Sequence, residues 1–287
     1  MSLRRLPRRK RFSGLSFNRM LPNLMTLLGL CIGLSSIRLA LDGNFGNAVI
    51  AIAVSGVIDG LDGRLARLLK ATSRFGAEFD SLADFLCFGI APGLVIYLWS
   101  LQAWGAMGFL PPLMYTSAMA LRLARFNAAL DSTPKAAFAY NFFTGVPAPA
   151  GAGLALFPLF IGLEAEKLHM GWLHDAIAYP LFTGAVLVSV ALLCVSTLPV
   201  WSFKNFKIPT ANVLPLLLGV VVFAAILFAD PYAAGALLGL AYIVMLPFSV
   251  RSYRSLAAQA ETRRAEAEHA PGTGDPTTGD PETGEAA

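Results

Sequence analysis

The sequence is poor in charge. Of its 287 residues only 14% are Asp, Glu, Lys or Arg, while 56% are hydrophobic and the mean hydropathy is +0.61. An ordinary soluble domain carries about 25% charged residues. The length alone would allow one or two soluble domains, but the composition excludes them and puts most of the chain in lipid. Cysteine is scarce as well. Cys31, Cys87 and Cys194 each lie within an apolar run, far from one another, which gives neither a disulfide framework nor metal-ligand spacing. They read as small buried hydrophobes. No small-residue cleavage site follows the first apolar run, which is full length from about Leu21, so the N-terminus does not read as a removable signal peptide.

The positive charge that is present is gathered at one end. Arg4, Arg5, Arg8, Arg9, Lys10, Arg11 and Arg19 precede the first apolar run. In that place they point to anionic lipid and to membrane topology, not to nucleic acid. The mixed apolar and basic stretch Phe12–Met20 is expected on the inner leaflet, either drawing anionic lipid or simply anchoring the chain.

About 20 apolar residues cross a bilayer as a helix, and the fold class predicted is an all-α polytopic membrane bundle of eight spans. These run over Leu21–Leu41, Phe45–Leu65, Ala77–Leu98, Ala103–Phe126, Pro147–Leu163, Ala176–Leu198, Ala211–Ala229 and Tyr232–Val250. The fifth begins among Pro147, Pro149, Gly151 and Gly153, which suits an irregular, protein-lined start. With both termini in the cytoplasm, Arg64, Arg67, Lys70, Arg74, Arg122, Arg125, Lys135, Lys204, Lys207 and the Arg251–Arg264 cluster fall inside, and Lys167 alone falls outside. That asymmetry obeys the positive-inside rule. Arg38, late in the first span, either snorkels outward or pairs with a neighbour. Residues 1–20 thus form a basic juxtamembrane segment, 21–250 the transmembrane domain, and 251–287 a cytoplasmic tail. Alternating Arg, Glu and Ala continue a helix briefly in that tail. From Pro271 it turns rich in Gly, Pro, Thr, Asp and Glu, a composition predicted to be disordered.

The second and third spans contain what lipid should exclude. Asp59, Asp62, Asp80 and Asp84 stand in or at the edge of apolar helices, where insertion scales set an ionised carboxylate at a cost of about 2.5–3.5 kcal/mol. Asp59 and Asp62 are three apart and Asp80 and Asp84 four apart, so each pair shares a helix face. A short turn between antiparallel helices brings the faces together near the cytoplasmic surface. Four clustered carboxylates repel unless protonated or neutralised. One or two divalent cations neutralise them, and all-oxygen ligands favour Mg²⁺, Mn²⁺ or Ca²⁺ over zinc. Paired divalent ions serve phosphoryl chemistry. Gly60, Gly63, Ala66 and Gly76 let a ligand approach closely, and Arg67 suits a phosphate. The competing reading is helix packing by glycines with polar glue between spans.

The pattern Asp59, Asp62-Gly63, Ala66-Arg67, Gly76, Asp80, Asp84 resembles the complete signature of the CDP-alcohol phosphotransferase family. The resemblance implies that Asp59, Asp62, Asp80 and Asp84 hold two divalent cations and that Gly63, Ala66, Arg67 and Gly76 shape the CDP-lipid site. It makes Asp84 the expected general base, although a purely ligating Asp84 stays open. The implied reaction is in-line attack of an alcohol oxygen on the β-phosphorus of a CDP-linked lipid, with CMP leaving. Asn23 and Thr26, after Pro22, resemble the nucleotide-proximal start of the first span, and equally read as a polar helix start. The blocks Leu121–Asn127, Phe143–Ala150 and Val195–Pro199 resemble the bacterial membrane-embedded phosphatidylserine synthases, which implies CDP-diacylglycerol and L-serine as substrates. Arg122, Arg125 and Asn127 then become candidates for binding an anionic group of the acceptor or lipid, against ordinary positive-inside charge.

Choline, glycerol 3-phosphate or an inositol phosphate is the alternative acceptor. A choline site calls for an aromatic cage, and a phosphorylated acceptor for further basic residues. A cation or proton transporter is the rival from another class, disfavoured because the aspartates cluster toward one face beside Arg67 and Lys70. The family resemblance and the helix-packing glycines also imply a homodimer in the cytoplasmic (inner) membrane, with the active site toward the cytoplasm.

Overall fold

The computed structural model describes residues 17–129, 142–201 and 213–269. The basic residues before position 17, Lys135, Lys204, Lys207 and the stretch from Pro271 lie outside these. The described chain is helical almost throughout, as expected. Its one ribbon joins β1 (Phe142–Thr144) to β2 (Pro199–Trp201) in antiparallel register, with Phe143 opposite Val200.

Helices α1 (Phe17–Leu41) and α2 (Phe45–Leu68) form an antiparallel hairpin. The turn between them uses Gly43 at φ 77°, and the Asn44 side chain caps α2 by accepting from Asn47 N at 3.3 Å. Small residues let the two helices close. Ser55 Oγ on α2 donates to Gly29 O on α1 at 2.9 Å, and a Cβ at Gly33 would overlap Cys87 Sγ on the next span. Overpacking of this kind costs about 1–3 kcal/mol. Gly33→Ala should therefore lower the melting temperature in detergent, and adding Cys87→Ala should recover most of the loss. A melting curve unchanged by Gly33→Ala would refute the contact.

The third span is continuous over Arg74–Trp99 but not uniform. Ser73 caps α3 (Arg74–Asp84), accepting from Gly76 N at 3.0 Å. Directly after Asp84 the helix widens into π turns over Phe85–Ile90, where Ala91 N donates to Leu86 O, and then resumes as α4 (Ala91–Trp99). Pro92 brings no N–H to this stretch, and the Tyr115 hydroxyl from the neighbouring helix donates instead to Phe88 O at 2.6 Å.

A 3₁₀ segment (Leu101–Phe109), kinked at Gly105 with φ 59°, leads into α5 (Leu110–Ala129). Helices α6 (Ala148–Ala155) and α7 (Phe157–Lys167) meet at a 41° bend, and α8 (Gly171–Ile177) and α9 (Pro180–Val195) at 51°. Helix α10 (Val213–Ala229) packs against α11 (Pro231–His269). The core lies where α4, α5, α6, α7 and α9 meet and includes Val95, Ile96, Tyr115, Met119, Leu159 and Leu187. At one end of the bundle Lys167 donates to Asp230, which also caps α11 by accepting from Tyr232 N and Ala233 N at 3.2 Å. The Lys167 ammonium holds the Asp230 carboxyl below its usual range.

Several expectations need correction. Among the described residues four helices are long and apolar enough to cross a membrane: Met20–Leu41, Phe45–Leu68, Arg74–Trp99 and Pro231–Leu256. The two bent pairs raise the number to six, not eight. The expected fourth span is divided, since 3₁₀ structure occupies its start and α5 carries Arg122, Arg125 and Asn127. The seventh corresponds to α10, which has 17 residues. The break in the fifth falls at Leu156, past its proline-rich start. Helix α11 continues beyond Val250 to His269. Arg38 resolves to a loose pair with Asp42, Nε to Oδ2 3.9 Å, between two exposed side chains. Cys87 and Cys194 are buried, whereas Cys31 is exposed.

Candidate active site

The site grows out of the join between α2 and α3. Helix α2 ends at Leu68, Lys70 turns the chain at φ 50°, and Ser73 starts α3. The two helices leave this turn side by side, with Asp59 and Asp62 on one and Asp80 and Asp84 on the other. Carboxylate oxygens of Asp59, Asp62 and Asp80 all lie within 4.8 Å of one another. The Asp84 carboxyl lies against that of Asp59. Asp62 is only 3% exposed, and Thr26 Oγ1 on α1 donates to its Oδ2 at 2.6 Å. Three helices thus hold the acids, and the Thr26 hydroxyl fixes the most buried of them.

Two hollows meet at Asp62 and Thr26. The smaller is lined by Ser55, Asp59, Asp84, Cys87 and Phe88. The larger, about 280 Å³, opens between α1 and the α2–α3 turn and is lined by Pro22, Asn23, Gly63, Ala66, Arg67 and Gly76, with Asp80 at its inner end. Gly63 faces open space, so the cleft keeps its width there. At Gly76 a Cβ would meet Asn23 Oδ1 at 3.0 Å and Ser73 Oγ at 3.1 Å. Every signature residue therefore lines one hollow or the other. Gly60 is the exception among the small residues singled out, because it is exposed and has no neighbour within 4 Å of an added Cβ.

The residues flagged for an acceptor separate. Arg122 lies within electrostatic reach of Asp84, with its Nε donating to Val146 O. Arg125 Nη1 donates to Val195 O at 2.7 Å, and Asn127 Nδ2 to Ser81 Oγ at 3.0 Å. Among the described residues neither Arg125 nor Asn127 bonds to a carboxylate of the cluster. The two arginines instead join α5 to the loops flanking the ribbon, and Gly145, at φ 76°, closes that joint by donating to Leu198 O at 2.8 Å. The three sequence blocks far apart along the chain thus form one structural unit. Sequence reasoning missed Ser73, Ser55 and Cys87. A serine just ahead of a helix is an N-cap signal that would have found Ser73. The other two look like any small residue in a span.

An all-oxygen trio of this spacing fits a hard divalent cation. The neighbouring carboxyl of Asp84 can take a proton, and the cleft with Arg67 at its wall can take a phosphorylated ligand.

The sequence model of the CDP-alcohol phosphatidyltransferase family matches residues 19–190, and that of CDP-alcohol phosphatidyltransferase 2 matches residues 212–247. The chain is 38% identical over 245 residues to the CDP-diacylglycerol–serine O-phosphatidyltransferase of Mycobacterium tuberculosis, covering 85% of this chain and 82% of that protein. It is 34% identical over 220 residues to the Helicobacter pylori protein of the same name, covering 74% and 83%. It is also 34% identical over 137 residues to the archaetidylserine synthase of Methanothermobacter thermautotrophicus, covering 46% and 54%.

Proposed function

The chain belongs to the CDP-alcohol phosphatidyltransferase family, and from that premise we propose that it transfers the phosphatidyl group of CDP-diacylglycerol to L-serine, giving phosphatidylserine and CMP. The observation that carries this reading is the convergence of Asp59, Asp62 and Asp80, with Asp84 against them, at the inner end of a cleft that Arg67 and Gly76 line. The names of the Mycobacterium and Helicobacter relatives support serine as the acceptor.

In this reading the cleft holds the CDP moiety, with Arg67 on a phosphate and Asn23, Thr26, Gly63, Ala66 and Gly76 shaping its walls. Asp84 takes the proton of the serine hydroxyl as that oxygen bonds to the β-phosphorus. The phosphorus–oxygen bond to CMP breaks, and CMP leaves with the bridging oxygen. Asp59, Asp62 and Asp80, with Asp84 at their edge, would hold two divalent cations, Mg²⁺ or Mn²⁺, whose charge stabilises the phosphate oxygens in the transition state. Thr26 keeps Asp62 oriented. A hydrogen bond to a charged group contributes about 1.5–3 kcal/mol, so Thr26→Val should lower turnover about tenfold or more with the fold intact. Wild-type turnover in that variant would remove Thr26 from the site.

The protein is further proposed to sit in the inner membrane as a homodimer of eight-span subunits, with both termini and the cleft on the cytoplasmic side. The first assay is CMP release by purified protein with CDP-diacylglycerol and Mg²⁺ or Mn²⁺, comparing serine, choline, glycerol 3-phosphate and inositol phosphate. Serine-dependent release is expected. Turnover with another acceptor alone would overturn the serine assignment and keep the reaction class.

A further inference from the structure

Two buried side-chain oxygens have no hydrogen-bond partner among the described residues, Glu164 Oε2 and Tyr242 Oη. The first sits beside Asp230 and Lys167 in the tie between α7 and α11. The second is at the other side of the chemistry. Tyr242 lies about three turns into α11 from Pro231, where Arg122 and Cys194 surround it electrostatically. Arg122 in turn faces Asp84. Helix α11 is held in place there by its packing on α6 and on β2, and by Ser249 Oγ donating to Pro199 O at 2.9 Å.

Native structures rarely leave a buried hydroxyl unsatisfied, and such a group calls for an explanation. The Arg122 guanidinium spends Nε on Val146 O, and its terminal nitrogens bond to no described residue. Phenol, guanidinium and carboxyl from α11, α5 and α3 therefore converge with donors left over on one side and a proton acceptor on the other. That arrangement complements a molecule bearing a carboxylate close to a hydroxyl. Guanidinium and phenol donors take the carboxylate, and the Asp84 carboxyl takes the hydroxyl proton.

Resting on serine as the acceptor, we propose that Tyr242 is a specificity-determining residue whose hydroxyl donates to the serine carboxylate beside Arg122, selecting acceptors that carry that group. Tyr242→Phe removes the one oxygen and keeps the ring. Initial rates of CMP release by the full-length protein should then show the serine KM raised about tenfold. The kcat and the KM for CDP-diacylglycerol should stay within about twofold, and the melting temperature should be unchanged. Serinol, which has the hydroxyl and amine without the carboxylate, should compete equally well against both proteins. Tyr242→His, which returns a ring donor, should bring the serine KM partway back.

An unchanged serine KM, a parallel rise in both KM values, weaker competition by serinol, or an unfolded Tyr242→Phe would each overturn the assignment, the last by showing that the hydroxyl serves the fold. Wild-type protein that releases no CMP with serine would instead overturn the function itself, so the two failures are told apart by the unmutated enzyme.

Discussion

Asp84→Asn is expected to lower CMP release by about 10²–10⁴-fold, the range of a lost general base, while Mn²⁺ still binds. The geometry argues for this split. The tight trio of carboxylate oxygens comprises Asp59, Asp62 and Asp80, and Asp84 stands beside it against Asp59. Asparagine keeps the shape and the polarity of the side chain but accepts no proton. Asp59→Asn, Asp62→Asn and Asp80→Asn should instead weaken Mn²⁺ binding and activity together. Calorimetric titration of Mn²⁺ into each variant, beside the rate, separates the two groups. If Asp84→Asn loses metal affinity as steeply as the other three, Asp84 is a ligand and the proton goes elsewhere.

Removing divalent metal should abolish turnover and loosen the protein in the same step. A buried Asp62 and its two neighbours repel one another without a counter-charge. A cation present at 100 times its dissociation constant stabilises the state that binds it by about 2.7 kcal/mol. Treatment with EDTA is expected to bring CMP release to background and lower the melting temperature, and Mg²⁺ or Mn²⁺ should restore both. Asp80→Asn should show the opposite pairing, a metal-free protein that melts higher and a rate that metal no longer rescues. Melting temperatures that ignore EDTA in active protein would show that the trio does not hold the metal.

The acids were legible in the sequence because ionisable residues stand out in apolar helices and their spacing selects a face. A five-residue connection from Leu69 to Ser73 then leaves α2 and α3 little choice but to lie together. Other features depend on contacts that no local pattern announces. Arg122 reaches a carbonyl 24 residues on and Arg125 one 70 residues on, so their tie to the ribbon loops emerges only once the bundle is assembled. The bend at Leu156 and the break ahead of Pro180 sit in runs that are apolar on both sides, which is why they read as uninterrupted spans. Tyr242 looked like any aromatic residue in a membrane helix. Only the assembled structure shows its hydroxyl buried and unmatched.

The π turns after Asp84 set the azimuth of the site. Each residue of an α-helix turns the chain by about 100°, and a π turn holds one surplus residue within a single turn. Upstream, α3 must aim Asp80 and Asp84 at α2; downstream, α4 must bury Val95 and Ile96 in the core. These are two angular demands on one continuous rod, and the surplus residue between Phe85 and Ile90 reconciles them. Deleting Leu86 would leave a straight helix with every apolar residue of α4 still seated. It would also swing the carboxylates of α3 about 100° away from their partners, so a single-residue deletion some distance from any ligand would dismantle the cluster by rotation alone.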